Sequence, residues 1–159
     1  MFSAQDKNRP FFVTEQIGKK MQISEFQDSQ TEDVVALWQR CGLTRPWNDP
    51  YKDILRKQTD KNGKFFVGHD ASTLIATIMV GYDGHRGSIN YLAVDPAIAG
   101  NGYGRELMQT AEAFLLSLEC PKINLCVRRD SEAVITFYDG LGYQEESVYY
   151  CGKRLIKDQ

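Results

Sequence analysis

At 159 residues, with 42% hydrophobic and 25% charged residues, the chain has the size and makeup of one globular domain with a sizeable core. A formal charge of -2 and a pI of about 5.7 argue against nucleic acid, and the basic doublets Lys19-Lys20, Arg128-Arg129 and Lys153-Arg154 read as solvated surface. No apolar run approaches the roughly 20 residues that span a bilayer, and Cys41, Cys120, Cys126 and Cys151 show neither zinc nor disulfide spacing, so small, reduced, mostly buried thiols in a cytoplasmic protein are expected.

Residues 1–20, polar and interrupted by Pro10 and Gly18, read as an N-terminal extension, with the domain over residues 21–159. Met21 is one candidate start of the protein; an arm packing on a neighbour is the other reading of the extension. Met21 to Phe26 alternates as a first strand does. Thr31 is the expected N-cap of a helix whose first turn holds Glu32 and Asp33. Val34, Leu37, Trp38 and Cys41 give that helix one apolar face, and Gly42 its stop. The turn-rich stretch from Thr44 to Pro50 leads to a second helix over about residues 50–60, and Asn62-Gly63 marks a turn.

Lys64 to Gly68 and Thr73 to Tyr82 read as strands, the second rich in β-branched residues. Asp83 to Gly87 is short and glycine-bounded, as a hairpin requires, and Ser88 to Val94 makes the fourth strand. A helix follows over residues 103–118, then a fifth strand from Lys122 to Val127 and a last helix from Ser131 to Leu141, closed by Gly142. Tyr143 to Tyr149 and Cys151 to Ile156 are expected to finish the sheet.

The most informative stretch runs from Tyr91 to Met108, where a buried strand enters a loop with Gly100, Gly102 and Gly104 and then a helix. Glycines let backbone N–H groups approach a ligand closely, and a helix start adds free donors and partial positive charge. A pyrophosphate fits there, although glycines before a helix also make plain turns. The spacing is wrong for G-x-G-x-x-G, and no Gly-Lys-Ser/Thr triplet supports a P-loop. About 30 residues later, Arg128-Arg129-Asp130 leads into a helix with Phe137-Tyr138, followed by Gly140-Leu141-Gly142-Tyr143.

This loop–helix–strand–helix series resembles the GNAT acetyltransferases, and the likeness extends over about residues 21–157. A closer resemblance, to the YpeA-like bacterial branch, rests on Arg45-Pro46-Trp47-Asn48-Asp49-Pro50, Gly81 to Gly87 and Gly152-Lys153-Arg154-Leu155-Ile156. The resemblance implies an α/β fold with a mixed, mostly antiparallel six- to seven-stranded sheet, splayed between strands 4 and 5 and flanked by about four helices. It implies an N-acetyltransferase that moves the acetyl group of acetyl-CoA to a primary amine of a small molecule, amino acid or peptide N-terminus, with no metal. Leu92, Ala93 and Val94 would then contact pantetheine, and Gly100, Asn101, Gly102, Tyr103, Gly104 and Arg105 the pyrophosphate. Ser131 would contact the cofactor or merely cap its helix, and Tyr138 matches the family's proton donor, with core packing as its plainer role.

The family loop pattern begins with Gln or Arg; here that place is Ala99, which lowers the local positive charge. Positions where relatives carry a basic glutamate hold Ser88 and Cys126, so deprotonation through water, helped by Asp83 or His85, is the expected route. Trp47, Asn48, Asp49, Tyr82, Asp83 and Arg86 are the candidates for acceptor binding; Asn, Asp and Gly also build loops unaided. A homodimer is compatible with the family, and neither nucleic acid nor membrane is an expected partner. The alternative is a catalytically weak acyl-CoA-binding module with a regulatory or interaction role.

Overall fold

The computed structural model describes residues 20–158, so all of the expected extension except Lys20 lies outside the described residues. Among the described residues there are five strands: β1 (Gln22–Glu25), β2 (Lys64–Asp70), β3 (Thr73–Tyr82), β4 (Gly87–Val94) and β5 (Ile123–Asn124). The helices are α1 (Thr31–Arg40), α2 (Pro50–Thr59), α3 (Tyr103–Ser117) and α4 (Glu132–Asp139). The strands lie in the order β1-β2-β3-β4-β5, antiparallel throughout except for the parallel β4–β5 pair that α3 connects.

The sheet separates two apolar clusters, as period-2 alternation dictates. Phe65 and Val67 of β2 face α1 and α2 beside Leu37, Trp38 and Ile54; Phe66 between them faces the α3 side. There Ile78, Val80, Leu107, Met108 and Leu115 pack together with Tyr138 of α4. Thr77 is the polar residue that is buried as a whole among the described residues. Thr77 accepts a bond from Trp38 Nε1 (2.9 Å) and donates one to the Tyr91 carbonyl (2.9 Å), so its hydroxyl is used in both senses.

The central elements fall where the sequence placed them, and the edges differ. Thr31 is the first residue of α1 rather than its cap. A 3-10 turn at Asp28–Gln30 precedes it, and a reciprocal Gln27–Gln30 pair closes that turn. Asp49, by contrast, is a true N-cap, its carboxylate accepting from the amides of Tyr51 (2.9 Å) and Lys52 (3.3 Å). The expected six to seven strands are five, because β5 stops at Asn124 and residues 143–156 form no strand. β5 pairs with β4 at only two positions, so the segment beyond has no neighbouring ladder to register on. Tyr149 is accordingly 93% exposed and Leu155 86%. Cys126 and Cys151, expected to be buried, are exposed for the same reason; Cys120 is buried and Cys41 half-buried.

Candidate active site

β4 carries the feature from which the site is built. Thr77 pairs with Ala93 but Met79 with Asn90, so two steps along β3 match three along β4. The extra residue is a bulge, and Tyr91 inside it has φ of 48°, a left-handed value that costs an ordinary side chain about 1–2 kcal/mol. The bulge reverses the alternation: Ile89 faces α3, whereas Tyr91 and Ala93 face α1, and Leu92 and Val94 return to the α3 side. Trp38 compensates by stacking on the Tyr91 ring at 3.8 Å between centroids.

β4 and β5 pair only at Gly87–Ile123 and Ser88–Asn124, and part thereafter. From Ile89 to Val94 the β4 backbone therefore has a strand neighbour on the β3 side alone. Such an edge offers amide groups to an extended ligand. Leu92 and Val94 are partly buried and Ala93 is buried at this edge; the Val94 carbonyl also receives the Cys41 thiol at 3.3 Å.

The edge runs into the glycine loop. Asp95 caps the 3-10 turn Pro96–Ile98 through the Ala97 amide (3.0 Å) and holds Arg40 at 2.9 Å; these bonds pull its carboxyl below the usual range, the amide most strongly. Gly100 and Gly102 both have φ of 86° with open space where a Cβ would lie, which permits the sharp entry into α3. Gly102 is the N-cap of α3 and brings no side-chain bond, and the first helical bond runs from Glu106 N to Gly102 O (3.1 Å). The amides of Tyr103, Gly104 and Arg105 thus lie ahead of the ladder, at the positive end of a 15-residue helix. Gly104 has a second duty: a Cβ there would meet the Phe137 ring at 3.2 Å, so its absence lets α4 close on α3. Two exposed polar side chains of the loop bond to nearby carbonyls. Asn101 donates to Ile98 O (2.8 Å) and Arg105 to Gly140 O (3.3 Å).

Across this junction, Tyr138 of α4 is 9% exposed, edge-on to Phe137 and Tyr143, and burial pushes its phenol up to about 12. At neutral pH it holds its proton. Ser131 is the N-cap of α4, yet its hydroxyl makes no cap bond; its carbonyl alone takes the Val134 and Ile135 amides, leaving the side chain free of the capping role.

The acceptor candidates separate into two groups. Trp47, Asn48 and Asp49 precede α2 at its N-terminal end, where Trp47 is 47% exposed. Tyr82, Asp83 and Arg86 belong to the β3–β4 hairpin, which shares a groove with Lys57 and Asp60 at the other end of α2, roughly 15 Å along a ten-residue helix. Asp83 is bound to the hairpin itself, accepting from the His85 and Arg86 amides at 2.7 Å, and these bonds lower its pKa. Arg86 donates to His85 O at 2.9 Å, and His85 is exposed.

The structure adds residues that sequence reasoning missed. Tyr91 donates to Asp53 of α2 (2.7 Å), Asp53 takes Arg56 (3.0 Å), and Arg56 grips Asp158. Burial first, and then the Asp53 bond, raise the Tyr91 pKa. No local pattern announces this chain of contacts, because it depends on a strand bulge and on residues 102 apart.

The acetyltransferase (GNAT) family profile matches residues 25–143. The chain belongs to the GNAT family. An acetyltransferase of Sodalis glossinidius is 46% identical over 140 residues, covering 87% of this chain and 99% of that protein. One from Yersinia enterocolitica is 44% identical over 139 residues, with the same coverage of both. Among solved structures, the aminoglycoside acetyltransferase AAC(6')-Iy with a CoA-containing bisubstrate analogue superposes with a TM-score of 0.72 at 14% identity, over 85% of this chain and 99% of that one. The ribosomal-protein-S18-alanine N-acetyltransferase of Escherichia coli gives 0.69 at 20% identity, over 80% of each chain. These two likenesses establish the GNAT fold. No helix among the described residues is long and apolar enough to cross a membrane.

Proposed function

We propose that the chain is an N-acetyltransferase that moves the acetyl group of acetyl-CoA to a primary amine, on a small molecule, amino acid or peptide N-terminus, by direct attack within a ternary complex. The observation that carries this reading is the continuity of a one-sided β4 edge with an uncapped, glycine-led helix start. Acetyl-CoA supplies an activated thioester there. Leu92, Ala93 and Val94 offer backbone partners to its pantetheine amides. Gly100, Asn101, Gly102, Tyr103, Gly104 and Arg105 present main-chain N–H groups to its diphosphate, where the helix field favours negative charge. Ser131, released from capping, is available to the same ligand.

Tyr138 is the proton donor to the departing sulfur. Its raised pKa keeps the phenol protonated, and its burial excludes competing water. The amine must arrive neutral; β4 carries no carboxylate, and Asp53 at the bulge is engaged by Tyr91 and Arg56, so the proton leaves through solvent on the side of Trp47, Asn48, Asp49 and the hairpin residues Tyr82, Asp83 and Arg86. The domain would occupy residues 21–159.

A thiol-release assay over a panel of amines tests this, with Tyr138→Phe alongside. The expected result is turnover that falls on the order of a hundredfold in the variant while acetyl-CoA binding persists. A weak binding module is favoured by Ala99, which stands where the family loop begins with Gln or Arg and brings neither charge nor a side-chain donor. Acetyl-CoA binding without turnover on any amine would select it.

A further inference from the structure

One side of α2, from Asp49 at its cap to Arg56 in its last turn, holds a carboxylate clamp, and one of the chain's own side chains fills it. Arg56 donates to both oxygens of Asp158, Nη2 to Oδ1 at 2.6 Å and Nη1 to Oδ2 at 3.0 Å. The Asp49 amide reaches Oδ2 at 3.3 Å, and Lys52 Nζ donates to the Asp158 carbonyl at 2.8 Å. The Asp158 side chain is 3% exposed, and its bonds to Arg56 draw its pKa down to about 2. Two forked guanidinium bonds and a main-chain amide are a donor set suited to a planar carboxylate, while the Lys52 ammonium holds the main-chain carbonyl beside it.

The clamp is tied to the β4 bulge. Arg56 also holds Asp53, which receives the Tyr91 phenol at the β4 bulge, so one chain of contacts links the clamp to the strand edge. The nearby anions are already engaged: Asp49 caps α2 and Asp53 is shared between Arg56 and Tyr91. Lys52 lies 3.9 Å from the Asp49 carboxylate, so Arg56 is the group with a whole fork to offer a further anion.

The segment that brings Asp158 in is poorly anchored elsewhere. Val148, Tyr149, Tyr150, Leu155 and Ile156 are all exposed. Beyond the Asp158 contacts, Arg154 donates to Asn48 at 3.0 Å and Lys122 meets Glu146. A carboxylate supplied on such a strap competes at millimolar effective concentration, and a soluble carboxylate can displace it.

We propose that Arg56 and the Asp49 amide, with the Lys52 ammonium beside them, form the carboxylate-recognition part of the acceptor site, and that Asp158 occupies it in place of an acceptor. The acceptor class is then an amine that also carries a carboxylate, such as an amino acid or short peptide. This rests on the N-acetyltransferase reading, and the experiment separates the two.

Glycine, glycylglycine and triglycine, each beside its C-terminal amide, are titrated into CoA-loaded protein by calorimetry and assayed for turnover with acetyl-CoA. Asp158→Asn should tighten binding of at least one free acid roughly tenfold, the gain expected if the strap fills the clamp about nine-tenths of the time. The matching amide should not respond. Arg56→Met should abolish the distinction between acid and amide, and Arg56→Lys, which keeps charge without the fork, should restore part of it. Acid-selective binding without turnover would support the clamp, and the same absence across the wider amine panel would overturn the transferase reading. Acids and amides binding alike to Asp158→Asn, or neither binding at all, would overturn the clamp whatever the turnover.

Discussion

Trp38 lies over Tyr91 with ring planes 16° apart, at the one β4 residue whose φ is positive, while its indole N–H is bonded to Thr77. One fully buried side chain on α1 thus supports the strand bulge from two directions, by stacking on the ring and by bonding the threonine that holds the Tyr91 carbonyl. Trp38→Phe keeps a ring but removes the donor, and should cost about 1–2 kcal/mol in urea unfolding. Trp38→Ala should cost about 3–5 kcal/mol. An unchanged midpoint for both variants would mean that the bulge needs no such support.

Local pattern reaches as far as local physics decides the outcome. The run from Thr73 to Tyr82 forms one strand because its β-branched residues bury on both faces, and α3 keeps the apolar stripe of Leu107, Ala111 and Leu115. The glycine loop was legible because Gly100 and Gly102 need a backbone that other residues resist. The last segment was not. Tyr143 to Tyr149 has strand-forming residues, yet a strand needs a partner, and β5 ends too soon to offer one. Arg56 and Asp158 were equally hidden, since a charged residue on a helix reads as solvated surface until the chain brings its partner from 102 positions away.

Gly102 has open space where a Cβ would lie but a φ of 86°, so Gly102→Ala acts through backbone strain alone. The expected cost is about 1–2 kcal/mol of stability. Acetyl-CoA affinity should fall with it, because the three leading amides of α3 take their direction from this residue. Calorimetric titration beside a thermal melt checks both, and a variant with wild-type stability and affinity would refute the role given to this turn.

Ala99 is exposed where the loop begins, and Arg105, bonded to the Gly140 carbonyl, is the one cationic side chain from Ala99 to Arg105. Ala99→Arg should restore charge beside a diphosphate and tighten acetyl-CoA about tenfold, corresponding to roughly 1.4 kcal/mol. The gain should shrink as salt rises. An affinity that does not move at low salt would contradict the placement of the diphosphate.

Burial holds the Tyr138 phenol at about 12, above the ordinary 10 of the unfolded chain. A folded state that keeps its proton longer is favoured fully below pH 10 and loses that advantage as pH rises from 10 towards 12. The contribution at stake is about 2–3 kcal/mol. Urea unfolding of wild type and Tyr138→Phe across this window should show the wild type losing stability faster, the difference isolating Tyr138 from Tyr91 and Tyr143. Parallel curves would mean that the phenol ionises as freely folded as unfolded.

Amide hydrogen exchange with and without CoA tests the central claim most directly, because it reads the donors themselves. The account predicts slowed exchange on CoA binding across residues 91–94 and 100–105, together and saturating with the same affinity. Protection confined to other parts of the chain, or none in either stretch at saturating CoA, would contradict it.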